Sequence, residues 1–212
     1  MDFNIAEYVR FMSLAIVPFF FAITVHELSH GAAAYALGDS TAKDHGRLTL
    51  NPFAHIDILG LLFLLLTQLF GWAKPVPVNF ANIRNHKYGM ALVAAAGPAS
   101  NIVVAIVSAI LLYFIKFLPL HADSFLASVA MPIAIMLKLS VQINVALAIF
   151  NLIPILPLDG GRILTNFLPY DTAYKFSQTE KFGFIIILFL FITGIIDKFV
   201  FPIIRYVQAF LI

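Results

Sequence analysis

Four stretches of this chain, at about 8–37, 90–116, 128–152 and 182–204, are apolar over at least the roughly 20 residues that an α-helix needs to cross a bilayer. A fifth apolar run, at about 56–72, is shorter. Backbone surrounded by lipid must satisfy its hydrogen bonds within its own segment, so separated runs of this kind can only be helices. The expectation is an all-α polytopic membrane protein, a bundle of about four to six transmembrane helices forming a single domain over residues 1–212. Composition agrees: 61% of residues are hydrophobic and 11% charged, far from the usage of a soluble domain. With no cysteine, disulfides and thiolate metal ligands are both excluded. Charges this sparse act by position rather than by total, and the formal +2 carries no sign of a nucleic-acid partner. The N-terminal "MDFNIAEYVR" lacks the basic flank of a cleavable leader, so the first span is expected to stay.

Between the first two long runs lies the most polar part of the chain, "DSTAKDHGRLTLNPFAH" at 39–55. Within it "GRLTLN" alternates and is bounded by Gly46 and the Asn51-Pro52 pair, which predicts a short strand. "KPVPVNF" at 74–80 predicts a second extended piece, because Pro75 and Pro77 forbid helix and alternate valines suit an edge. Together they predict a short β-hairpin, with the apolar run between them dipping into the membrane and returning as a re-entrant segment. The distribution of cations favours re-entrance. It gathers Lys43, Arg47, Lys74, Arg84, Lys87, Arg162, Lys175 and Lys181 on one face, eight of the 13 Lys and Arg, whereas a full crossing splits them. That face is expected to be cytoplasmic, with the N-terminus outside.

"VHELSHG" at 25–31 stands in the middle of the first apolar run. His26 and His30 are four residues apart, so on a helix both imidazoles project from one face, one turn apart, a spacing that suits two nitrogen ligands on one tetrahedral zinc. Glu27 is rotated by about 100° from His26 and can hang beside the metal without ligating it, as the general base of a metal-assisted hydrolysis. Two imidazoles and a carboxylate within a span are costly, and by default mark a functional site.

Catalytic zinc takes three protein ligands and keeps one open position. His45 and His55, near the expected strand, are candidates for the third. His86 reads as a solvated residue in the basic loop "NIRNHKYG", and His121 falls on the opposite face. Asp159 is the best candidate, because it is the acid in the polar break "NLIPILPLDGG", where Pro154 and Pro157 end the helix of the third long run. The same Asp is equally suited to cap the helix that "GGRILTNFL" would form, and spacing alone leaves ligand and cap even.

At these residues the sequence resembles the site-2 protease family of intramembrane zinc metalloproteases, in its short form without PDZ or CBS modules. The resemblance runs from about 20 to 168 and rests on "HELSH" at 26–30, "GRLTLNP" at 46–52, "KPVPVN" at 74–79, "GPASN" at 97–101 and "NLIPILPLDGG" at 151–161. It implies one Zn²⁺ per chain held by His26, His30 and Asp159, with Glu27 as the catalytic base. It places Asn101 and Asn151 near the site, where either can serve as substrate or oxyanion donor or can simply bond helix to helix. The implied activity is cleavage of membrane-spanning proteins within or near their transmembrane segments. The implied setting is the lipid bilayer of the cell membrane, with the active site opening toward the cytoplasm. Two other classes fit the same residues: a membrane metal transporter, with further ligands along a path, and a non-catalytic scaffold in which the metal staples helices.

Overall fold

The computed structural model describes residues 4–67, 71–84, 88–119 and 124–212. Its framework is three long helices: α1 (Ile5–Ala36), α4 (Gly89–Ile115) and α5 (Phe125–Asn151), which pack against one another. Each is apolar and long enough to cross a membrane. Polar caps fix where α1 and α5 begin: the Asn4 side chain accepts from the Ala6 amide, and Ser124 Oγ accepts from the Ala127 amide. α1 ends where Gly38 takes a φ of +109°, a conformation open to glycine, as expected of its stop signal. The three helices meet through small side chains, Ala22 and Ala34 on α1, Ala94 and Ala105 on α4, Ala130 and Ala148 on α5, all buried. Large apolar side chains such as Phe11, Phe21, Leu111 and Ile133 point outward, the inverse of a soluble fold and the pattern of helices that pack in lipid.

The fourth long apolar run is not one straight span. It divides into α8 (Gly183–Ile192) and α9 (Phe201–Leu211), separated by Gly194 at φ +71° and a π-helical turn over Ile196–Val200. The two arms are bent by 73°. The described residues therefore contain three helices able to span, or four if the bent pair counts as one, at or just below the lower end of the about four to six expected. α9 lies against α5, with Ile204 on Val141 and Val145 and the Gln208 amide donating to the Gln142 carbonyl.

The expected β-hairpin is absent: no strand occurs among the described residues. The reason lies in where the backbone donors go. Pro75 and Pro77 have none. The Lys74 amide donates to the His55 carbonyl, the Val76 amide to Glu27 Oε2 and the Asn79 amide to Asp39 Oδ2. Arg47 spans the gap that a ladder would have filled, its guanidinium donating to the Lys74 and Pro75 carbonyls. Segment 74–79 thus bonds to side chains and to the His55 carbonyl rather than to a partner strand.

Between these two segments runs α3 (Ile58–Thr67), preceded by a short 3₁₀ turn at Pro52–Ala54. Its 10 residues make a helix about 15 Å long, half of a hydrocarbon layer of about 30 Å. The chain comes back to its starting point, since residue 74 bonds residue 55 and Gly60 faces the Trp72 carbonyl. After α5 the chain turns through 152–158 into α6 (Asp159–Phe167) and then α7 (Tyr170–Ser177).

Asp39, wholly buried after the end of α1 and ahead of the short helix α2 (Thr41–Asp44), fastens this layer to α1. It accepts from the Thr41 amide and hydroxyl, the Asn79 amide and the Asn82 side chain. Burial opposes its charge, but these donors outweigh burial and hold the carboxyl below its ordinary value. A depressed folded pKa means that the contribution is complete above the unfolded pKa of about 3.9 and is lost as pH falls through the folded value. Asp39→Ala is expected to cost about 1–3 kcal/mol, the cost of leaving buried partners unsatisfied. Denaturation of both proteins across pH should show a constant gap above about pH 4 that narrows below it.

Candidate metal centre

α1 presents His26 and His30 on one face, as their spacing predicts. α4 approaches so closely there that Gly97 lies directly over the rings: a Cβ at 97 would meet the His30 Nε2 and come within 2.7 Å of the His26 Cε1. From the other side α6 supplies Asp159. The loop before it is held tightly, for a Cβ at Gly161 would lie 2.5 Å from the Ile155 carbonyl carbon. Asp159 is the first residue of α6 rather than its cap, which is Leu158, so the capping role is not taken up. Its carboxylate faces the imidazoles instead.

The candidate ligand atoms lie close together. His26 Nε2 and His30 Nε2 are 3.0 Å apart, His26 Nε2 and Asp159 Oδ2 are 3.2 Å apart, and His30 Nε2 and Asp159 Oδ1 are 3.4 Å apart. Metal–ligand bonds of about 2.0–2.1 Å in a tetrahedron imply ligand–ligand edges of about 3.3 Å. Proton placement carries the same message. His30 Nδ1 lies 2.7 Å from the Val93 carbonyl, which can only accept, so the ring proton is on Nδ1. His26 Nδ1 lies 2.6 Å from Asn101 Oδ1. The Asn101 nitrogen is identified by its contact with the Ala22 carbonyl, so the atom facing His26 is the oxygen and His26 too is protonated at Nδ1. While both rings are neutral, both Nε2 atoms are bare lone pairs facing each other and a buried Asp159 Oδ2 that lacks a hydrogen-bond partner. In that state the three acceptors repel one another unless a cation, a proton or a metal ion, lies among them. The residues fit a divalent metal.

Comparison with known proteins agrees. Residues 119–194 match the family model "Peptidase family M50". Over 182 residues the chain is 37% identical to "Putative zinc metalloprotease YwhC" of Bacillus subtilis, covering 86% of this chain and 81% of that protein. The chain belongs to peptidase family M50. It is also 28% identical over 207 residues to "Putative zinc metalloprotease Rip2" of Mycolicibacterium smegmatis, covering 93% of this chain and 74% of that one. The protein of the same name from Mycobacterium tuberculosis is 26% identical over 200 residues. No solved structure is significantly similar to the chain. The site-2 protease resemblance is therefore borne out as family membership.

Around the M50 centre lies a cavity of about 870 Å³ bounded by α1, α5, the 55–80 layer and the α8–α9 bend, and walled mostly by apolar side chains such as Phe19, Ile143, Phe150 and Phe201. Glu27 opens onto it, with Oε2 held by the Val76 amide at 2.9 Å. Asn151 lines the same cavity, its amide nitrogen donating back to the Leu147 carbonyl. Asn101 does not: it is wholly buried, and both its amide atoms are committed to His26, Ala22 and Asn144. That leaves it no donor for a substrate oxygen.

The other histidines stay apart from the centre. His45 bonds the Thr41 carbonyl at the surface, and buried His55 donates through Nε2 to the Thr49 carbonyl. His86 and His121 lie outside the described residues. Among the described residues His26, His30 and Asp159 are the one group of three His, Asp or Glu side chains placed so that they could share a metal. Sequence reasoning did not place Gly97 over the imidazoles, and it missed the Val76 amide. Gly97 stood in view within "GPASN"; a backbone amide has no sequence signal at all.

Proposed function

We propose that this M50 chain is an intramembrane zinc metalloprotease that hydrolyses a peptide bond within or near the transmembrane segment of a membrane protein. The observation that carries the reading is the convergence of two imidazole nitrogens and a carboxylate beside Glu27 in the wall of an apolar cavity. His26, His30 and Asp159 hold the Zn²⁺; bound there, it supplies Lewis acidity to polarise the scissile carbonyl and to acidify a water. The Val76 amide occupies one Glu27 oxygen and turns the other to the reaction. Glu27 takes the proton of the attacking water and returns it to the leaving amine. Asn151, the cavity-lining amide, is the better placed of the two asparagines to donate to the developing oxyanion. Asn101 serves the metal side.

The substrate is a membrane-spanning segment, and the apolar walls suit such a guest. Its peptide carbonyls are hydrogen-bonded while it stays helical, so it must unwind before attack. The cation-rich face, which holds the 39–55 and 74–84 segments, is cytoplasmic on the positive-inside rule, with 56–72 re-entrant from that side of the cell membrane. Purified enzyme in lipid vesicles tests the reading with two single-span substrates, one Leu-rich and one with Gly placed at the cut region. Chelator-sensitive cleavage is expected for both, faster by about tenfold or more for the Gly substrate, since each Gly weakens a helix by about 1 kcal/mol. Equal rates contradict unwinding, and cleavage indifferent to chelator contradicts the metal.

A further inference from the structure

A line of buried polar side chains leaves the metal centre and runs between α4 and α5. It begins at His26 and passes through Asn101 to Asn144 on α5, where Asn101 Nδ2 donates to Asn144 Oδ1 at 2.7 Å. Asn144 Nδ2 donates to the Ser140 carbonyl at 2.8 Å and approaches the Ser140 hydroxyl at 3.3 Å; that hydroxyl bonds Ser108 on α4 at 2.8 Å. Asn101 and Asn144 are wholly buried and the two serines nearly so. Asparagines are expensive inside a helix bundle in lipid unless every group is satisfied. These two are satisfied in only one orientation.

A main-chain carbonyl can only accept, so the Ser140 carbonyl compels the Asn144 nitrogen to face it and the Asn144 oxygen to face Asn101. That oxygen, together with the Ala22 carbonyl, compels the Asn101 nitrogen to face away from His26. The Asn101 oxygen is thereby delivered to His26, which must carry its proton on Nδ1. Reversing Asn101, which the Asn144 oxygen and the Ala22 carbonyl together prevent, would put the proton on Nε2, where the metal would bind. We infer that Asn144, which touches neither metal ligand nor cavity, is a positioning residue that sets the His26 tautomer and so keeps the ligating nitrogen bare.

The inference rests on the metal-centre reading, and the experiment separates the two. Zinc affinity is measured by chelator competition on the full-length wild type, Asn144→Leu and Asn144→Asp, and the histidine tautomers of the metal-free proteins by ¹⁵N NMR. Leu copies the shape of Asn but neither accepts nor donates. A buried, neutral Asp offers a carbonyl to Asn101 and a hydroxyl to Ser140. Asn144→Leu is expected to weaken zinc binding by about tenfold or more and to raise the Nε2–H form of His26, as loss of an outer partner of a ligating histidine does. Asn144→Asp is expected to stay close to wild type. Wild-type affinity and tautomer in Asn144→Leu overturn the inference, as does equal damage by Asp, which would mean a packing role. Should Asn144→Leu not fold, the metal-free wild type still decides: His26 with its proton on Nε2 overturns the inference without any variant. A wild type that binds no zinc would sink the metal centre itself.

Discussion

Glu27→Gln is expected to bind zinc as the wild type does and to cleave its substrates about 10²–10⁴-fold more slowly, the range that a positioned general acid–base group contributes. The substitution is nearly isosteric, and the amide oxygen can still accept from the Val76 amide, so the 74–79 segment should stay in place. What disappears is the ability to take a proton from water and hand it to the amine. Metal content and cleavage measured on one preparation make the distinction. Full occupancy with lost activity fits a base that is not a ligand. Undiminished cleavage would contradict the role, and lost metal would mean that Glu27 belongs to the coordination sphere. A metal-stapled scaffold has no use for this carboxylate and predicts no functional change.

Gly97→Ala is expected to be nearly as damaging, by a different route. The added methyl would clash with the His30 ring, 2.5 Å from its Cε1, and with the His26 Cε1 at 2.7 Å, both far shorter than an ordinary contact. Neither ring has room to retreat. His30 is tied to the Val93 carbonyl on α4 and His26 to Asn101, also on α4, so both bonds belong to the helix that carries the intruding methyl. Either α4 moves off α1 or the candidate ligand atoms move apart. A misplacement of about 1 Å at a reacting centre can cost about 10²-fold, and a loss of zinc affinity and activity of that order is the expected result. Because the metal-free variant loses no hydrogen bond by deletion, its denaturation should stay much closer to wild type than its zinc titration. Wild-type zinc affinity in Gly97→Ala would contradict the close approach of α4.

How much of this was legible beforehand varies with the range of the interaction. His26, Glu27 and His30 declare themselves because they share two turns of one helix, where period fixes which side chains meet. Asp159 is 129 residues beyond His30 in the chain, and spacing left it balanced between ligand and cap; only the path of the chain after α5 brings it back to the rings. The β-hairpin was misread for a related reason. Alternation and turn residues predict extended backbone paired in a hairpin, but the amides of 74–79 bond Glu27, Asp39 and the His55 carbonyl from distant parts of the chain. The fourth long apolar run breaks at Gly194, which sits inside it as an ordinary glycine would and is exceptional only in its positive φ. Asn144 had no motif to mark it. Its meaning depends on which carbonyl it faces.

Zinc K-edge X-ray absorption on the purified protein, wild type beside Asp159→Ala, bears most directly on the meeting of α1 and α6 at one ion. The wild type should show one zinc per chain with two imidazoles and light oxygen ligands at about 2.0–2.2 Å, and Asp159→Ala should lose most of its zinc or show a changed first shell. An active, zinc-loaded protein whose coordination is the same with and without the Asp159 carboxylate would contradict the account.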